Sequence, residues 1–238
     1  MDDIRVENVD IPVDENVFLK ASIYYISQQQ GKSPFIINCP ALLEHRRSKF
    51  VQFFTDKFVS EGFYVLSYDY RGHGETAKQT RKNWFYHIAD IFSDINKVVS
   101  WIIEHQRTRL LGKKIFTFGR SFGGAILLTN GFIDKRIEKI IALCTRFDYH
   151  TTTVKFSEDV IKLISPKFFI KKEPNNNKRF MLGHCRDDDQ IPFENLKQIK
   201  NQLGLRDQNV LIFDEGGHSF KGHREEVFEK CLRFLKDL

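Results

Sequence analysis

Two periods of apolar and polar positions run along this chain and divide it into strands and helices. Residues 11–13 and 17–26 read as two strands joined by the polar turn Asp14-Glu15-Asn16. Residues 35–39 form a short apolar run ended by Pro40, which reads as a buried strand entering a loop. Over residues 48–60, Phe50, Val51, Phe54 and Phe58 recur at helical steps, and Gly62 follows as a stop. Residues 63–70 read as the next strand. Residues 90–105 read as an amphipathic helix with Ile91, Ile95, Val98, Val99 and Ile102 on one stripe. A strand over 114–118 runs straight into Gly119, and a small-residue helix follows over 123–130. Further strands are expected over 139–144, 180–183 and 210–213, and an amphipathic helix over 225–235 closes the pattern.

Strands and helices alternate through the middle of the chain. That rhythm predicts a mostly parallel sheet covered on both faces, with right-handed crossovers and the opening hairpin as an antiparallel edge. The 238 residues suit one domain, 1–238. Residues 147–178 break the rhythm, since connections in such units usually take about 2–6 residues. They contain one helical stretch, 158–164, and are expected to form a small cap over the C-terminal edge of the sheet, where open α/β folds bind ligands.

Composition narrows the class. Hydrophobic residues make up 41% and charged residues 29%, as in ordinary soluble globular proteins. The net charge is +6, but the basic clusters are short, scattered and match no nucleic-acid module. The 23 Phe point to a Phe-rich core. Cys39, Cys144, Cys185 and Cys231 form no CxxC pair and read as buried free thiols of a reducing compartment. No signal region precedes the first strand, and no apolar run approaches the roughly 18 residues of a membrane span. A cytoplasmic protein without stable membrane insertion is the expectation.

The main chemical signal is Gly119-Arg120-Ser121-Phe122-Gly123, placed between a strand and a helix. On such a sharp turn the serine is lifted above the sheet, and the helix N-terminus offers free N–H groups to an oxyanion. A serine hydroxyl needs a general base at neutral pH. His218, in Glu215-Gly-Gly-His-Ser-Phe220, follows the last expected strand and is the candidate among 8 histidines. An acid is needed to orient that histidine. Asp187 and Asp188, in a run of three aspartates after the strand at 180–183, are candidates, and Asp148 is a more distant one. Neither a Walker pattern nor metal-ligand spacing is present, so no cofactor is expected.

Taken together, these residues resemble the α/β-hydrolase superfamily. The resemblance runs over nearly the whole chain and rests on the elbow at Ser121, Asp188-x-x-Ile-Pro192, Gly216-Gly-His218 and Asp69-Tyr-Arg-Gly-His-Gly74. It implies an α/β-hydrolase fold with an eight-stranded, mostly parallel sheet. It also implies a Ser121–His218–Asp188 triad, because the acid in that family stands four residues before the proline. By position, the oxyanion donors are the backbone of Ala41 and Phe122. Cys39-Pro40 stands where many members have His-Gly, and Arg120 where many have His. Arg120 either favours an anionic substrate or points away and pairs with an aspartate. His45 lies near the oxyanion loop as a candidate substrate contact. Asp69, Arg71 and Gly72 read as structural. The compact members it is most similar to are esterases, acyl-peptidases of the S9 and S33 kinds and monoacylglycerol-lipase-like enzymes. The implied activity is hydrolysis of a small-molecule carboxylic ester or thioester through an acyl-enzyme. Peptidase action on the same triad is the alternative, and a non-catalytic ligand-binding protein on the same fold is the rival of another class.

Overall fold

A computed structural model describes residues 3–29, 31–80 and 83–237. The opening hairpin pairs β1 (Ile4–Asp14) with β2 (Val17–Ile26), and β2 runs antiparallel to β4 (Tyr64–Tyr68). From there every pairing is parallel: β3 (Ser33–Cys39) with β4 and with β5 (Leu110–Arg120), then β6 (Ile137–Leu143), β7 (Phe180–Cys185) and β8 (Val210–Phe213). The eight strands lie in the order β1-β2-β4-β3-β5-β6-β7-β8. This is the α/β-hydrolase architecture. The order reverses around β3 and β5, so the loops after these strands open side by side at the sheet's carboxyl edge, where ligands bind in doubly wound sheets.

Successive side chains on a strand point to opposite faces, and both faces here are covered. On one side, α1 (Lys49–Ser60) and α8 (Arg224–Lys236) press Phe54, Phe58 and Phe228 onto Phe116 and Phe118 of β5. The rings of Phe54 and Phe118 lie 4.5 Å apart, and those of Phe58 and Phe228 5.4 Å apart. Much of the phenylalanine is thus core. On the other side pack α2 (Ile88–His105), α3 (Phe122–Leu128) and α7 (Glu194–Leu203). The short α4 (Asn130–Ile133) follows α3.

The helix α7 is the one long element the sequence pattern passes over. Its apolar residues Leu196, Ile199 and Leu203 hold helical spacing, but they stand among polar neighbours. Between β6 and β7 the chain makes its long excursion. It holds α5 (Glu158–Ile164) and α6 (Asn176–Arg179), and Ile161 and Ile164 join the core beside α2. Among the described residues, no helix is long and apolar enough to cross a membrane.

The Asp69–Gly74 segment is structural. Asp69 is buried, forms an ion pair with Arg46, and accepts the backbone N–H groups of Arg46 and Glu75, each at 2.8 Å. Arg71 grips Asp94 of α2 through Nε at 2.7 Å and Nη2 at 3.0 Å.

Candidate active site

Ser121 sits between β5 and α3 with φ 57° and ψ −116°. A non-glycine residue rarely adopts this region, and holding it there costs on the order of 1–3 kcal/mol. The surroundings enforce it. The Ser121 N–H donates to the Leu143 carbonyl at 2.8 Å, and the Ser121 carbonyl accepts from Ala125 at 3.0 Å to start the helix. The flanking glycines are needed for close approach. A Cβ on Gly119 would stand 2.7 Å from the Gly123 carbonyl carbon, and one on Gly123 would stand 2.3 Å from the Cys39 carbonyl oxygen.

Ser121 and His218 line the same cleft, of about 920 Å³, at the carboxyl edge of the sheet. His218 is buried, and its Nδ1 lies 2.8 Å from Oδ2 of Asp188. An ionised carboxylate only accepts, so Nδ1 carries the ring proton and Nε2 is left as an acceptor. The three aspartates have separate places. Asp188 is buried against the histidine. Asp187 accepts the N–H groups of Gly216 at 3.1 Å and Gly217 at 2.8 Å, and so shapes the turn that carries His218. Asp189 is exposed on the cleft. Asp148 is engaged elsewhere, with Lys167 and His150, each at 2.6 Å.

Four residues beside this acid are given no role by the sequence pattern. The buried His184 brings Nε2 to 3.2 Å from Asp188 Oδ2 while bonding the Ile191 carbonyl at 2.8 Å. The Asp188 carboxylate also accepts the N–H groups of Gln190 at 2.9 Å and Ile191 at 3.0 Å. Burial alone would raise the Asp188 pKa, but the hydrogen bonds from His184 and His218 outweigh it and hold the carboxyl well below its ordinary range. Cys144 contributes a thiol within 4.8 Å of both Asp188 and His218. Burial, reinforced by the Asp188 charge, pushes that thiol well up, so it stays protonated. The His184 signal was its position four residues before Asp188. Cys144 lies on a neighbouring strand end, which only the sheet order reveals.

The two positions expected to supply oxyanion donors, Phe122 and Ala41, both line the cleft. The Ala41 N–H donates to Oε2 of Glu44 at 3.1 Å. The other oxygen of Glu44 accepts from Arg120 at 2.7 Å. Arg120 also donates to the His218 carbonyl at 3.0 Å and to Ser219 Oγ at 2.7 Å, and its guanidinium lies 4.2 Å from the Phe50 ring centre. Arg120 thus lines the cleft with its guanidinium engaged by a glutamate, Glu44, rather than by the expected aspartate. It ties the loop after β3 to the loop that carries His218. His45 is exposed and is not among the residues lining the cleft. Pro40 uses its carbonyl instead of the N–H it lacks, accepting from Tyr70 at 2.8 Å. The Cys39 thiol is pushed up by burial to about 12 and is not a nucleophile near neutrality.

The cleft lining is mixed in character. Trp84, Phe122, Tyr149 and Phe156 bring ring faces and edges to it, with Trp84–Phe122 at 6.5 Å and Tyr149–Phe156 at 6.3 Å between ring centres. Arg146, Gln190, Asn195 and Gln198 bring polar groups to the same lining.

The chain is similar to known proteins in sequence and in fold. The chain is 27% identical over 140 residues to the quorum-quenching protein AidA of Acinetobacter baumannii (strain MDR-ZJ06), an alignment spanning 57% of this chain and 43% of that protein. Its fold matches Est1E of Butyrivibrio proteoclasticus, solved with ferulic acid, with a TM-score of 0.78, 17% identity and coverage of 95% of this chain and 97% of that one. It also matches esterase 2 of Thermogutta terrifontis, phosphorylated by paraoxon, with a TM-score of 0.73, 16% identity and coverage of 97% and 93%. The family model described as "Serine aminopeptidase, S33" matches residues 36–191. That span holds β3 to the acid loop, with the elbow at its centre, and this chain is a member of the S33 serine aminopeptidase family within the α/β-hydrolases.

Proposed function

We propose that this protein is a serine hydrolase that cleaves a carboxylic ester or thioester through an acyl-enzyme. The observation that carries the reading is the His218 Nδ1–Asp188 contact of 2.8 Å, beside a cleft that His218 shares with the strained Ser121. His218 Nε2 takes the Ser121 proton as Oγ attacks the carbonyl. Asp188 stabilises the imidazolium that results. The N–H of Phe122, at the start of α3, holds the oxyanion. The Ala41 N–H joins it once Glu44 releases it, and loss of one such donor typically costs on the order of 10²–10³ in rate. His218 then protonates the leaving group and activates water. The 147–178 excursion acts as a small cap, since Tyr149 and Phe156 within it line the cleft.

The ring-lined wall of the cleft favours an apolar or aromatic acyl group. Ferulic acid, the ligand of Est1E, is of that kind. Peptidase action is the second reading. The matched family is described as an aminopeptidase family, and Asp189 offers an exposed carboxylate on the cleft that could meet an amino terminus. Side-by-side kinetics on aryl esters and aminoacyl anilides test both readings. Faster turnover of esters is expected; turnover of anilides alone would overturn the esterase reading.

A further inference from the structure

Arg146 and Tyr149 stand on the cleft with donors that the protein does not use. Arg146 follows β6, at the edge of the sheet where Ser121 also opens. Its guanidinium is held by neutral partners: Nη1 donates to Thr151 Oγ1 at 2.9 Å and to the Thr151 carbonyl at 3.5 Å, and Nη2 to the Gln190 carbonyl at 3.1 Å, leaving Nε–H and one Nη2–H unused among the described residues. Among the described residues it has no carboxylate within 4.0 Å, unlike Arg46, Arg71 and Arg120, which are each paired with acids. Tyr149 is only 8% exposed, and its hydroxyl has no hydrogen-bond partner among the described residues. Both residues line the cleft that Ser121 and His218 share. A cation with no carboxylate partner and an unpartnered hydroxyl on the same cleft are a ready receptor for an oxygen acceptor.

We infer that Arg146 and Tyr149 form a subsite for a carboxylate carried by the substrate, so that the preferred ester bears an acid group away from the scissile bond. The subsite rests on the serine-hydrolase reading above. A single negative charge fits better than a dianion such as phosphate, because Asp189 and Glu194 line the same cleft. Glu194 is partly answered by Lys197 at 2.9 Å, whereas Asp189 has no ion pair among the described residues. The planar guanidinium still has N–H groups free for a bidentate contact, and the aromatic wall receives the body of the molecule.

The test compares two matched pairs of esters. One pair carries the charge on the acid, as mono(4-nitrophenyl) glutarate against 4-nitrophenyl pentanoate. The other carries it on the leaving group, as 4-acetoxybenzoate against its methyl ester. Wild type should favour the charged member of at least one pair by about tenfold in kcat/KM, the scale of one charge-assisted hydrogen bond. Arg146→Gln should bring that ratio to near one, Arg146→Lys should keep part of it, and Tyr149→Phe should lower it. A ratio does not depend on the fraction of enzyme that folds, so a poorly folding variant still reports. Hydrolysis of the neutral esters with no preference in either pair, or a preference that Arg146→Gln leaves intact, overturns the subsite and spares the hydrolase reading. No hydrolysis of any of the four overturns the hydrolase reading, and the subsite with it.

Discussion

Asp188 concentrates much of the site's electrostatics in one side chain. It takes donors from His218, His184, Gln190 and Ile191 while lying almost wholly out of water. Asp188→Asn keeps the shape but presents an amide to His218 and favours the wrong ring tautomer. A loss of about 10⁴-fold in kcat is expected, by precedent in serine proteases. Asp187→Asn keeps an oxygen for the Gly216 and Gly217 N–H groups and should cost far less; steady-state kinetics on both variants separate the two roles. The pH dependence has a definite sign. A carboxyl held below its unfolded value contributes stability above that value, near 3.8, and loses it as pH falls toward the folded value. The stability advantage of wild type over Asp188→Asn, from denaturant unfolding, should therefore be flat near neutrality and shrink as pH drops below about 4. An advantage that grew in acid would contradict the assignment.

Among the elements, the β5–α3 elbow is the most tightly constrained. Gly123 backs onto the Cys39 and Pro40 carbonyls, so Gly123→Ala places a methyl against backbone that cannot move without shifting the oxyanion loop. Overpacking of this kind costs roughly 1–3 kcal/mol, and activity should fall further than stability does. Thermal unfolding and ester kinetics on the one variant check both parts. This elbow was legible in the sequence because its chemistry is local: strand, Gly-x-Ser-x-Gly and helix follow one another within a few residues. So was the hairpin, although β1 begins at Ile4, well before the apolar core of Ile11 and Val13. What was not legible depends on pairing between distant strands. Cys144 reaches Asp188 only because β6 and β7 are neighbours, and Glu44 meets Arg120 only because β3 lies beside β5. The choice of Asp188 over Asp187 came from the family pattern. The two are adjacent in sequence, and their different partners emerge only once the chain is folded.

At the scale of the whole molecule, buried ion pairs tie the cleft's loops to the sheet. Arg46 holds Asp69 and reaches Ser22 at 3.0 Å and Glu75 at 2.6 Å, joining the oxyanion loop to β2 and to the loop after β4. Arg46→Ala leaves the buried Asp69 carboxylate without its cation and should destabilise the fold by about 3–5 kcal/mol in denaturant unfolding. A share of the chain's positive charge lies inside, on Arg46, Arg71 and Arg120, each paired with an acid. The two covered faces of the sheet give Ser121 a rigid base, and the long excursion after β6 supplies one wall of the cleft.

The central claim is that Ser121 is an activated nucleophile with His218 as its base. Labelling with a fluorophosphonate probe tests it most directly, on wild type, Ser121→Ala and His218→Ala, each first shown to be folded. The account predicts labelling of wild type, none of Ser121→Ala, and severe slowing in His218→Ala. Labelling that survives in Ser121→Ala, or its absence from folded wild type, would contradict it.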